Sequence, residues 1–250
     1  MKRSTTIALF YCGVALICAA IIGTAMWLRK GLNSNHVQPE LVMNTGKEKV
    51  QEWFPIERDL SGIKQDGQPI KLSDLRGKVW LVAEFFAICP HCARRNGQEL
   101  REIYDAFKSH PDFHIACVSV DPENDGLDRL KDYASALGAD VSNWWFINAG
   151  DAQTTHDYMQ NTLKFFGIRE RTDPADIAAN GRFAHDLAFM LVNRDFQVIG
   201  KWPLADAKSE ETMARDPQLY QKLKDDLYQR IRAELDRNAS TTKVDLPKEP

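Results

Sequence analysis

The sequence predicts an α/β fold in which a mixed β-sheet is flanked by helices, with an N-terminal hairpin added to the sheet and a single membrane-spanning helix ahead of it. Three observations predict it. Apolar β-prone runs alternate with amphipathic helical stretches beyond residue 53, two late strands are separated by the turn Asn193-Arg194-Asp195, and an unbroken weakly polar to apolar run fills Thr5 to Leu28.

In chain order, Lys2-Arg3 and Arg29-Lys30 bracket the Thr5–Leu28 run. A helical span needs about 20 residues, whereas the apolar region of a cleaved signal peptide is usually about 7–15, so an uncleaved anchor over 1–30 is expected. The Lys/Arg count is tied on the two flanks and does not orient the span. Residues 31–52 are polar and without periodicity, as a linker is. Asp59 to Lys78, with Asp66-Gly67 between short β-prone pieces, reads as the added hairpin. Lys78 to Phe86 is a continuous apolar run that suits a strand buried on both faces. Pro90 then stands where a helix begins, and Leu100, Ile103, Tyr104 and Phe107 give its i, i+3, i+4, i+7 stripe.

Phe113 to Val120 reads as strand, Asp128 to Leu137 as helix, Trp144 to Ile147 as strand and Thr154 to Phe166 as helix. Leu187 to Val192 and Gln197 to Trp202 form the late hairpin. A closing helix from about Pro217 to Leu235 carries Leu219, Leu223, Leu227, Ile231 and Leu235 four residues apart. This order matches a thioredoxin-like domain over 53–236, with a polar, disordered tail at 237–250. Arg169 to Arg182 is the least regular stretch and reads as a mobile loop.

With 32 Lys and Arg against 35 Asp and Glu, the net charge of −3 lacks the basic excess of a nucleic-acid binder. Of five cysteines, Cys12 and Cys18 fall in the span and Cys117 in an apolar run, where an inert buried thiol is the default. Cys89 and Cys92 remain as one spaced pair. That is too few for a disulfide scaffold and reads as a site.

A thiol reacts, and binds soft metals, as its thiolate, which the unpaired N–H groups of a helix N-terminus favour. Cys89 falls just before the helix after the first core strand and Cys92 in its first turn, with His91 able to add positive charge. Sulfurs three residues apart on a helix turn lie close enough for a disulfide or for joint ligation of one ion. The spacing therefore supports both redox exchange and metal binding. No second Cys-x-x-Cys or His-x-x-x-His completes a zinc site.

Leu75-Arg76-Gly77-Lys78, the Cys-Pro segment after Phe85-Phe86 and His185 ahead of Leu187 to Val192 belong to one pattern that runs from about Phe54 to Trp202, and in it the chain resembles the Sco/SenC family of copper-handling, membrane-anchored thioredoxin-like proteins. The resemblance rests on Leu75-Arg76-Gly77-Lys78 entering the first core strand and on the Cys-Pro segment after Phe85-Phe86. It continues in Val118 to Asp125, Leu130, Tyr133, Gly138-Ala139-Asp140 and Trp145, and above all in His185 before Leu187 to Val192 and Asn193-Arg194-Asp195. It implies copper, as Cu(I) or Cu(II), held by Cys89, Cys92 and His185, a soft donor set suited to Cu(I). It further implies delivery to a client copper protein such as a cytochrome c oxidase subunit, reversible oxidation of Cys89 and Cys92 as a redox-active pair, and a domain on the periplasmic side of the membrane.

The family's usual spacing is Cys-x-x-x-Cys. One residue fewer turns the second sulfur by about 100° around the helix axis. Cys-Pro-His-Cys is also similar to the motif of DsbA-type disulfide oxidases, which makes a thiol-disulfide oxidoreductase the alternative. Thioredoxin and DsbA-type proteins, however, carry a proline just before the strand facing the cysteines, and Asn180 to Asp186 contains none. Phe86 stands where peroxiredoxins place threonine, which argues against a peroxidase. Bland roles are expected elsewhere: His36, His110, His114 and His156 solvated, Asp121 and Asp125 in a turn and helix cap, Trp144-Trp145 in the core.

Overall fold

The computed structural model describes Thr24 and residues 54–87 and 90–237, with 90–95 by their backbone alone. Cys89, the anchor and linker calls apart from Thr24, and the tail beyond Arg237 lie outside the described residues, within which no helix is long and apolar enough to cross a membrane.

Among the described residues ten strands are formed: β1 (Phe54–Pro55), β2 (Ser61–Lys64), β3 (Pro69–Lys71), β4 (Val79–Phe85), β5 (Phe113–Ser119), β6 (Trp144–Asn148), β7 (Arg169–Glu170), β8 (Phe183–Ala184), β9 (Phe189–Val192) and β10 (Gln197–Trp202). Eight of them build one sheet in the order β1-β10-β9-β4-β5-β6-β2-β3, while β7 and β8 pair separately. β4, β5 and β6 run parallel, and every residue of all three is buried. Burial on both faces is the reason these segments read as continuous apolar runs rather than as alternating ones. The flanking strands are antiparallel, β9 to β4 and β2 to β6. The predicted hairpin is β2–β3, and its turn needs the glycine: Gly67 sits at φ +84°.

Among the described residues seven α-helices accompany the sheet: α1 (Pro90–Phe107), α2 (Leu127–Leu137), α3 (Ala152–Asp157), α4 (Pro174–Asn180), α5 (Leu204–Ala207), α6 (Glu210–Arg215) and α7 (Leu219–Asp236). The period-2 alternation of β4 divides the core. Val79, Leu81, Ala83 and Phe85 pack against Leu100, Ile103, Tyr104 and Phe107 of α1, Leu130 of α2 and Leu223, Leu227, Ile231 and Leu235 of α7. Trp80 and Val82 face the other way, onto Leu72, Leu75, Tyr158, Met159 and Phe165. Helical elements thus cover both faces of a mixed sheet, and each fully buried large side chain contributes about 1.5–3 kcal/mol.

The helix expected over Thr154 to Phe166 is shorter than that. After α3 one wide turn follows over Tyr158–Thr162, closed by Leu163 N–H donating to the Tyr158 carbonyl five residues back at 3.1 Å. Lys164 at φ +61° then reverses the chain, so that Phe165 enters the core on the Trp80 and Val82 face of the sheet and Phe166 is left exposed. The stretch Arg169 to Arg182 is also more regular than its composition suggests. It contains β7 and α4, the latter capped by Asp173 and opened by Pro174.

Candidate functional site

The site is built where β4 ends. The continuous burial of β4 carries the chain to Phe85, and Asp125 takes over from there. Its carboxylate accepts the Ala87 N–H at 3.1 Å on both oxygens and the Ser119 hydroxyl at 2.6 Å. Asp125 is fully buried, and burial holds its carboxyl above the usual carboxylate range against the lowering by these hydrogen bonds. The helix-cap reading of Asp125 is therefore corrected. Gly126 occupies the N-cap of α2 without a side-chain bond, while Asp125 fastens the backbone two residues ahead of Cys89.

Past Cys89, α1 begins at Pro90 as expected and includes the backbone of Cys92 in its first turn. Further along α1, Asn96 donates from Nδ2 to the Leu187 carbonyl at 3.0 Å and so ties the first turns of the helix to the segment that carries His185. His185 follows β8 and precedes β9. Its side chain is 3 % exposed, packed edge-on to Phe86 with ring centroids 5.4 Å apart.

Polar groups around the imidazole fix its state. Nδ1 lies 2.8 Å from the Asp186 carbonyl, and because a carbonyl only accepts, Nδ1 carries the proton. In the neutral ring Nε2 is then the nitrogen with the lone pair, the form a soft metal ion needs. Glu84 Oε2 is 3.6 Å from the same Nδ1 and accepts the Asp186 N–H at 2.9 Å. Glu84 Oε1 is buried without a partner. Burial raises the Glu84 carboxyl above its ordinary range, and His185 pulls it partly back. Asp186 in turn accepts from Ala188 N–H at 2.9 Å and Phe166 N–H at 3.0 Å, and pairs with Lys201 of β10, whose ammonium sits 3.8 Å from the Phe166 ring centroid.

Of the three residues expected to share a site, His185 is thus described in full, Cys92 by its backbone and Cys89 not at all. Among the described residues no three His, Cys, Asp or Glu side chains form a metal-holding cluster. Cys117 behaves as expected: it is fully buried, and burial pushes its thiol up to about 12. Two histidines expected in solvent are not there. His114 is buried with Nδ1 unpartnered, because β5 has no solvent face, and His156 lies 2.6 Å from the Val120 carbonyl and edge-on to Phe183. Sequence reasoning missed Glu84, Asn96, Asp186 and Lys201. Only Glu84 carried a signal, as the lone carboxylate inside the apolar run of β4.

The SCO1/SenC family model matches residues 48–220. A SCO1 protein homolog of Bacillus subtilis (strain 168) is 26% identical over 136 residues, 54% of this chain and 67% of its own length. Among solved structures, BsSco, described as having a disulfide switch and as a member of the Sco family of cytochrome c oxidase assembly proteins, superposes with a TM-score of 0.57 at 20% identity, over 75% of this chain and 97% of its own. Arabidopsis thaliana ScoI with copper bound gives a TM-score of 0.51 at 16% identity, over 70% and 99% of the two chains. These two likenesses are of fold, and the fold is the mixed sheet with flanking helices described above. With a family match that spans most of the sequence from the residues before β1 to the start of α7, this chain belongs to the SCO1/SenC family.

Proposed function

We propose that this protein is a copper chaperone that holds its cargo through the thiolates of Cys89 and Cys92 and through Nε2 of His185, and passes it to a client copper protein such as a cytochrome c oxidase subunit. The observation that carries the reading is the place of His185: its buried ring, with Nδ1 against the Asp186 carbonyl, packs on Phe86 at the end of the strand that leads into Cys89. Two thiolates and one imidazole make a soft set suited to Cu(I). Family membership and the copper-bound and oxidase-assembly relatives support copper as the cargo and the oxidase as the destination. Residues 1–30 anchor the domain to the membrane on its periplasmic side, and a reporter fused to the domain that works only in the cytoplasm would contradict this.

Titration of the reduced chain with Cu(I) against a chromophoric competitor tests the ligand set. Stoichiometric binding is expected, with His185→Ala weaker by about a hundredfold, ~3 kcal/mol. Binding that is absent, or indifferent to His185→Ala, would remove the copper reading. A second reading, thiol-disulfide exchange, is favoured by the position of Cys92 in the first turn of α1. In it the Cys89 thiolate attacks a client disulfide and displaces one client thiolate, and the Cys92 thiolate then attacks the Cys89 sulfur of the mixed disulfide, which releases the second client thiolate and leaves Cys89 and Cys92 joined as a disulfide. Rapid insulin reduction that survives His185→Ala would put this reading first.

A further inference from the structure

The buried carboxyl of Glu84 has no place in a ligand set of two thiolates and an imidazole, yet it occupies the strand that leads to them. By the alternation of β4 it shares the face of Trp80 and Val82, where every other neighbour on the strand is apolar. Burying a carboxyl with one oxygen unsatisfied is costly, so the satisfied oxygen must hold something that matters. What it holds is the Asp186 N–H, 102 residues along the chain.

We infer that Glu84 is a positioning residue for His185, selecting the tautomer in which Nδ1 is protonated and Nε2 meets the cargo. The geometry works through two oxygens on one side of the ring. The Asp186 carbonyl at 2.8 Å and Glu84 Oε2 at 3.6 Å both face Nδ1, and Oε2, which takes the Asp186 N–H, stands there as an acceptor like the carbonyl. Moving the proton to Nε2 would turn the Nδ1 lone pair against both of them. The Asp186 carbonyl stays in place because its own residue is held on every side. The amide is bound by Glu84, the carboxylate by Ala188 N–H, Phe166 N–H and Lys201. Leu187, next in line, is held by Asn96 of α1. Outer groups that orient a ligand histidine and fix its tautomer are worth about 10–100-fold in metal affinity.

The inference rests on the copper reading for its consequence but not for its first test. A long-range ¹H–¹⁵N correlation spectrum of the reduced, ¹⁵N-labelled, metal-free full chain, recorded at mildly alkaline pH, reads the His185 tautomer directly. The Nδ1–H form is expected in wild type and in Glu84→Gln, whose amide oxygen can still accept the Asp186 N–H. Glu84→Leu is expected to give a mixed or inverted tautomer and Cu(I) affinity lower by about 10–100-fold, with Glu84→Gln within about threefold of wild type. An Nε2–H tautomer in the wild-type spectrum overturns the inference even if Glu84→Leu does not fold. So does Glu84→Leu with an unchanged tautomer and unchanged affinity. If instead the spectra behave as expected while His185→Ala leaves Cu(I) binding intact, the positioning role stands and the copper reading is the one that fails.

Discussion

Glu99 and Glu84 are both buried carboxylates facing the inside of the molecule, and they are treated in opposite ways. Glu99, on α1, is fully satisfied: it pairs with Lys208 beyond α5 and accepts the Tyr220 hydroxyl at 2.9 and 3.0 Å, with Lys224 3.7 Å away on α7. Glu84 has one amide, one nearby imidazole and an oxygen with no partner. A fully partnered buried charge ties elements together, and removing one side of it exposes the cost of the other. A half-partnered one is poorly explained by stability alone. The contrast separates a staple that joins α1 to the C-terminal helices from a group that serves a site.

Four measurements would break or sharpen this contrast. The largest effect is expected from Glu99→Ala, which strands Lys208, Lys224 and Tyr220 and should lower unfolding stability in urea by about 3 kcal/mol. Cu(I) affinity of the folded variant should be that of wild type. A loss of affinity as large as that of Glu84→Leu would erase the distinction between the two glutamates.

Gly181→Ala comes next. Gly181 has φ +80°, and a Cβ there would lie 2.3 Å from Cε2 of Phe86, the ring that stacks edge-on to His185. A cost of about 2 kcal/mol is expected, together with shifted His185 ring resonances, because the disturbance enters the site through Phe86. Unchanged resonances would show that Phe86 does not brace the imidazole.

Asp112 tests the opposite end of the sheet. Hydrogen bonds and charge from Lys78 at 2.8 Å and Arg194 at 2.7 Å hold its carboxyl down at about 2. Its folded value lies below the unfolded value of about 3.9, so its contribution is present above pH ~4 and disappears as pH falls through about 2. Asp112→Asn should therefore be less stable than wild type at neutral pH and indistinguishable near pH 2, with copper affinity untouched. The exposed part of this ion pair keeps the effect modest.

The smallest effect belongs to His114. Burial pushes its imidazole below the ordinary histidine range. The unfolded chain therefore binds more protons than the folded one just below pH ~6.5, and stability is full above that value and declines as pH falls beneath it. Stability of wild type and His114→Gln, measured between neutral and mildly acidic pH, should show the shallower slope in the variant. Equal slopes would mean that His114 is solvated after all.

His114 also shows where sequence reading stopped. A histidine among apolar residues carries no local mark of whether its strand has a solvent face, and only the pairing of β5 between β4 and β6 removes that face. The overlong helix at Thr154 to Phe166 has the same origin. Its pattern stays helical to the end, but Phe165 is drawn into the core and the Phe166 N–H to Asp186, two contacts that local periodicity does not encode. Within the candidate site, the place of the Cys92 backbone in the first turn of α1 was legible because strand, cysteine, proline and helix follow one another in the sequence. The surroundings of His185 were not.

The amino-acid order alone determined most elements of the described domain, the buried centre of its sheet and the start of α1 at Pro90, since each depends on residues a few positions apart. Tertiary structure decided which groups surround His185. Glu84 and Asp186 stand 102 residues apart, Asn96 and Leu187 91 apart, and Lys201 reaches Asp186 across the β9–β10 hairpin. Hydrogen bonds of a few ångströms between such distant groups exist only after the sheet has closed, and no short-range pattern announces them.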